Sequence, residues 1–156
     1  MQIMNQREKN ILDAALQVFS RYGFKRTSMA DIAAEAGISR QTLYKAFSSK
    51  EDVLRTHIRD YADNAVAEMN ARLANIEGLG PQLDFIFDKI TVQGFDMVRA
   101  SPNARDIEEG VSETSKEELE HTAQRFQAII AKVLSPYADQ LELSGTTPKE
   151  LAEFVQ

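Results

Sequence analysis

The 156-residue chain contains no cysteine and no tryptophan. Without a thiol there is no disulfide framework, no thiolate zinc site and no cysteine nucleophile. No apolar run approaches the roughly 20 residues needed to span a bilayer, so no membrane partner is expected. The opening stretch MQIMNQREKN has neither an apolar core nor a small-residue cleavage site, which argues against a secretory leader. Catalytic patterns are missing too: there is no nucleophile elbow, no HExxH, no Walker loop and no GxGxxG after a strand. His57 and His121 lie far apart with no supporting motif. These absences leave a soluble, cytoplasmic, non-enzymatic protein with no cofactor and no metal as the expectation.

What is present is a globular composition, 43% hydrophobic and 27% charged, too apolar for a disordered chain. The net charge of −6 looks wrong for a protein that meets a polyanion until it is divided along the chain. Residues 1–55 carry nine basic and six acidic side chains, a balance of +3; residues 56–156 carry nine and eighteen, a balance of −9. Such asymmetry points to a basic module joined to an acidic remainder with a different task, although chance solvation of helix faces gives the same totals.

The basic part reads as helices throughout. Ile11, Leu12, Ala15, Leu16, Val18, Phe19 and Tyr22 recur at three- and four-residue spacing from about Gln6 onward, and Gly23 follows at a helix end. Ser28 is placed to cap a second helix, with Asp31 at the positive end of its dipole and Ile32, Ala33 and Ala36 on its apolar side. Gly37-Ile38-Ser39 turns the chain, and Ser39 caps a third helix that buries Leu43 and Phe47. Ser49 then caps a fourth. Two short helices joined by a glycine-containing turn make a helix-turn-helix. The third helix presents Ser39, Arg40, Gln41 and Thr42 where a recognition helix meets base edges. Tyr44, Lys45 and Lys50 stand where flanking phosphates would lie.

TSMADIAAEAGISRQTLYKAFSSKEDVL, preceded by Phe19 in an A-x-x-x-F-x-x-x-G-F arrangement, resembles the DNA-binding domain of the TetR/AcrR family of bacterial transcriptional regulators. The resemblance covers about residues 6–55. It implies that Ser39, Arg40, Gln41 and Thr42 lie in or beside the major groove, that Ser28, Tyr44, Lys45 and Lys50 hold the DNA backbone, and that Leu43 and Phe47 are core. Among these, Arg40 is the side chain expected to read a guanine, because bidentate pairing to O6 and N7 is the commonest specific contact.

The remainder reads as a second helical domain, so the fold class expected is all-α, with residues 1–48 as the DNA-binding domain and 49–156 as an effector-binding and dimerisation domain. A long helix runs from Ser49 to about Asn75, and Gly78-Leu79-Gly80-Pro81 reads as a linker turn before an apolar helix over 82–99. A short helix near 103–109 follows, then a longer one from Ser115 to Tyr137. Thr147-Pro148-Lys149-Glu150 combines an N-cap, proline at the first helical position and a reciprocal Glu. Family members are longer, so this second domain is expected to be incomplete at its C-terminus, which leaves the usual dimer geometry open.

The resemblance also implies a small-molecule effector within the second domain. Candidate pocket residues are Phe85, Phe87, Phe95, Met97, His121, Phe126 and Ile129. The plain reading of such aromatics is ordinary core, and His121, on the polar stretch EELEHTAQR, reads as a surface residue. The acidic run Asp106, Glu108, Glu109, Glu113, Glu117, Glu118 and Glu120 lacks metal-ligand spacing and reads as a solvated face. The function expected is a one-component repressor, a homodimer on a palindromic double-stranded operator. The alternative is a helical interaction protein that keeps the helix-turn-helix shape without meeting DNA.

Overall fold

The computed structural model describes residues 4–92, 100–142 and 145–154, and every regular element among them is helical. Helix α1 spans Gln6–Tyr22, α2 Met29–Glu35, α3 Arg40–Ala46, α4 Lys50–Arg72, α5 Leu79–Phe87, α6 Ala104–Thr114, α7 Lys116–Leu134, α8 Ala138–Glu142 and α9 Pro148–Phe154. The chain divides into two compact units: Met1–Asp60 with Phe95–Glu118, and Tyr61–Gly94 with Leu119–Gln156. Each half of α4 therefore belongs to a different unit.

In the first unit α1 buries Ile11, Leu12, Ala14, Ala15, Val18 and Phe19 along one side. α1 packs on α2, α2 on α3, and α1 also on α6. Ile32 and Leu43 are fully buried, as is Val53 at the start of α4. Each such side chain contributes about 1.5–3 kcal/mol relative to its exposed state. Phe19 and Phe24 meet edge to face with centroids 5.2 Å apart.

The N-terminal N–H groups of these helices would otherwise lack partners, and side chains supply them. Asn5 and Glu8 form a reciprocal capping box on α1, and Ser28 with Asp31 does the same on α2. Ser39 Oγ accepts the Thr42 N–H at 3.1 Å on α3, and Ser49 Oγ accepts the Asp52 N–H at 3.2 Å on α4. Gly37 takes φ +65° in the turn between α2 and α3, a conformation that costs a side-chain-bearing residue roughly 1–2 kcal/mol.

The second unit closes around Ala65, Met69, Leu73, Ile86, Phe126, Ile129, Ile130, Leu134 and Ala152. Gly78-Leu79-Gly80-Pro81 is not the linker turn expected from the sequence. Only Gly78 lies outside the helix; α5 starts at Leu79 and takes Pro81 into its first turn, where a missing N–H removes no helical bond. The Gln82 amide donates to the carbonyls of Leu73 and Ile76 at 3.2 and 2.9 Å, tying the end of the preceding helical run to the new one. α5 continues into a π-helical turn at Asp88–Val92 that the apolar pattern did not announce. The expected capping box before α9 is present: Glu150 N–H donates to Thr147 Oγ1, and Thr147 N–H donates to the Glu150 carboxylate. Among the described residues no helix is long and apolar enough to cross a membrane.

Candidate nucleic-acid interface

α3 has a clear inside and outside. Leu43 and Phe47 are buried at 0% and 5% exposure, while Arg40, Gln41, Tyr44 and Lys45 are exposed. On a helix of about 3.6 residues per turn, burial of Leu43 and Phe47 puts Gln41 and Lys45 at the crest. Thr42 and Ala46 form one flank, and Arg40 and Tyr44 the other. The Tyr44 ring is 56% exposed, so both its face and its hydroxyl meet solvent.

Ser39 and Thr42 are tied together at the helix start. Besides accepting the Thr42 N–H, the Ser39 hydroxyl donates to Thr42 Oγ1 at 3.0 Å. Arg40 lies on the side of α2, where it adds to the forces that hold the Asp31 carboxyl below its ordinary range; the hydrogen bonds from Ser28 dominate that effect. Ser28, exposed at the start of α2, donates its hydroxyl to Asp31 at 2.6 Å. The structure thus gathers Ser39, Arg40, Gln41, Thr42, Tyr44 and Lys45 on one short helix, with Ser28 at the head of its neighbour.

Lys50, expected to hold a phosphate, is engaged within the chain. Its ammonium donates to the carbonyls of Phe24, Lys25 and Thr27 at 2.7, 3.1 and 2.9 Å, and lies 4.7 Å from the centroid of the Phe24 ring. The loop between α1 and α2 turns these carbonyls toward the start of α4, and an amine with three donors satisfies all of them. Lys50 here fixes the loop that delivers Ser28.

The same loop and the end of α1 are held by residues 101–109, which include the first members of the acidic run expected to be a solvated face. The last carbonyls of α1 have no intrahelical partner. Ser20 O accepts from Ser101 Oγ at 2.7 Å and from Asn103 Nδ2 at 3.0 Å, and Arg21 O accepts from Asn103 Nδ2 at 3.2 Å. Asp106 accepts the Lys25 N–H at 3.0 Å, and Glu109 pairs with the Lys25 ammonium at 2.8 Å. Glu109 is held below the ordinary carboxylate range, first by Lys25 and then by Arg105. Gly110 lets α6 close on the Phe24 ring: a Cβ there would stand 2.5 Å from Phe24 Cδ1. Within the acidic run, Asp106 and Glu109 are thus engaged by Lys25, about eighty residues away in sequence, and Glu118 faces Arg55. No local signal marks that pairing.

Of the effector candidates, Phe126 and Ile129 belong to the buried cluster of the second unit, and Phe85 packs against it partly buried. Arg72 and Lys89 lie 4.6 and 5.8 Å from the centroid of the Phe85 ring. Phe87 is half-buried and His121 is exposed. Phe95 and Met97 lie outside the described residues.

The model of bacterial regulatory proteins of the tetR family matches residues 11–56, a span that takes in most of α1, all of α2 and α3, and the start of α4. The HTH-type transcriptional regulator YezE of Bacillus subtilis is 33% identical over 63 residues, covering 40% of this chain and 32% of that protein. The fatty acid degradation regulator FadR of Bacillus halodurans shares the fold at a TM-score of 0.69 and 17% identity, over 89% of this chain and 71% of that one. FadR of Bacillus subtilis, solved in complex with stearoyl-CoA, superposes at a TM-score of 0.65 and 18% identity, over 85% and 71% of the two chains. The matched part spans between about a third and a half of the first curated relatives, 32%, 42% and 50% of their lengths. Residues 11–56, with their capped helix-turn-helix, belong to the tetR family of bacterial regulatory proteins, and the fold over most of the chain is the one shared with FadR.

Proposed function

We propose that this chain is a one-component transcriptional regulator, a repressor that binds a palindromic operator as a homodimer and leaves it when a small molecule occupies the second domain. The observation that carries the reading is α3. Its inner side chains are buried, its N-terminus is capped, and its outer face presents hydrogen-bonding and basic side chains. Residues 1–48 form the DNA-binding domain in this reading, and 49–156 the regulatory one.

Gln41, Arg40 and Thr42 read base edges, while Ser28, Tyr44 and Lys45 hold phosphates. Lys50 contributes by fixing the loop at Ser28. The stearoyl-CoA held by FadR of Bacillus subtilis supports a small-molecule effector on this fold. Phe85, Phe126 and Ile129 mark the apolar cluster where it would act. The chain passes between its two units after Asp60, Gly94 and Glu118, so an effector that repacks the second unit pulls on the first through three covalent crossings.

The test is selection of duplexes from a random library by the full chain at two salt concentrations. An enriched palindrome is expected, with half-sites ~34–36 Å apart or a multiple of that. Arg40→Ala should then lose ~1–3 kcal/mol of discrimination at one base pair. Absence of duplex binding at low salt would instead favour a helical interaction protein.

A further inference from the structure

The structure sorts the nine basic side chains of residues 1–55 by what they already hold. Arg21 pairs with Glu35, Lys25 with Glu109, and Arg55 with Asp52 and Glu118. Arg26 and Lys50 donate to backbone carbonyls. Arg7, Lys9, Arg40 and Lys45 are left with no hydrogen bond or ion pair among the described residues. Of these, Arg40 acts on the Asp31 carboxylate through space, and Lys9 stands by itself on α1. Arg7 and Lys45 come together instead. They line one cleft of about 280 Å³ between the start of α1 and the Thr42 flank of α3, with Asn5 and Thr42 on its walls.

Glu8 also lines the cleft, but its carboxylate is turned to the helix start, where it accepts the Asn5 N–H at 3.0 Å. With two cations against this one carboxylate, the lining is net positive. In a chain with 24 acidic and 18 basic side chains, a cleft beside the recognition helix lined by one carboxylate and by two cations with no ion-pair partner among the described residues fits a polyanion. A guanidinium from α1 and an ammonium from α3 lining one cleft suit a phosphate group, the first by its planar fork and the second as a point charge.

We propose that the Arg7–Lys45 cleft binds a DNA backbone phosphate, so that α1 and α3 grip the same strand and fix how α3 enters the groove. The proposal deepens the DNA-binding reading and rests on it. It assigns to Arg7 a contact that the helix-turn-helix pattern does not mark, and it moves the phosphate grip from Lys50 to the opposite side of α3.

The test measures affinity of the full chain for a mixed-sequence duplex as salt rises from ~50 to ~200 mM, where each phosphate contact adds about 0.9 to the logarithmic slope. Arg7→Gln should flatten the slope by about 0.9 per head, weaken all duplexes alike and leave base preference unchanged. Lys45→Gln should do the same, and Lys9→Gln should leave the slope in place. Melting curves of the variants check that each is folded. A steep slope in the unaltered chain that Arg7→Gln does not change overturns the cleft while leaving the DNA-binding reading intact. An equal loss with Lys9→Gln also overturns it, by reducing the effect to net charge. No duplex binding by the unaltered chain overturns both.

Discussion

The two units of the molecule end their helices differently. In the first, four consecutive helices start on side-chain caps, at Asn5, Ser28, Ser39 and Ser49, and the loose carbonyls of α1 and of the following loop are taken by Ser101, Asn103 and Lys50. In the second, α9 keeps such a cap at Thr147, but α5 starts at Gly78 with none and runs into a π-helical turn. Lys89 in that turn is buried and paired with Glu68 at 2.8 Å, and the Tyr61 hydroxyl donates to the Lys89 carbonyl. Polar satisfaction in the first unit fixes one backbone geometry around α3, which suits the base-reading role proposed for it. The second unit keeps its irregular elements beside its apolar cluster, and π turns are frequent at functional sites.

Substitutions can break this contrast in order of size. Phe19→Ala should have the largest effect, about 3–5 kcal/mol, because it empties a fully buried site in the first unit. Chemical denaturation should show the loss, and duplex binding should fall with it. Lys50→Met comes next. It leaves three carbonyls without their donor and should cost about 1.5–3 kcal/mol; a cost under half a kilocalorie would mean that the amine does not hold the loop. Ser28→Ala removes one cap and should cost ~1 kcal/mol, measured as a lower denaturation midpoint, with Ser28→Asp recovering most of it.

The smallest effect sharpens the comparison through pH. His57, on the first-unit part of α4, has its pKa pushed down by burial, against the opposing pull of the Asp60 and Asp13 carboxylates. The folded state therefore binds fewer protons than the unfolded chain below the ordinary histidine value of ~6.5. Stability rises with pH across that window, and the contribution is lost as pH falls through ~6.5 toward the lower folded value. The melting temperature of the chain should drop between neutral pH and about 5.5, and His57→Gln should flatten that part of the profile. An unchanged profile in the variant would remove His57 from the account.

Much of the first unit was legible in the sequence because its signals are local. Ser28, Ser39 and Ser49 each act on an N–H three residues on, and Leu43 and Phe47 declare the inner side of α3 by spacing alone. Thr147 and Glu150 were readable in the second unit for the same reason. Distant contacts were not readable. Nothing near Asp106 or Asn103 announces that they hold the α1 end, and nothing near Lys50 announces three carbonyls in residues 24–27. Arg7 was equally silent, since a basic residue in a first helical turn gains meaning only when α3 is brought beside it. The π turn escaped because an apolar run fixes burial and not hydrogen-bond register.

The central claim is that α3, braced by the capped first unit, is the surface that meets DNA. Backbone amide exchange of the full chain, with and without a duplex enriched from the random library, tests it most directly. The account predicts new protection at residues 28–31 and 39–46 and at the start of α1, with little change across residues 119–134. Protection confined to 119–134, with α3 exchanging as it does without DNA, would contradict it.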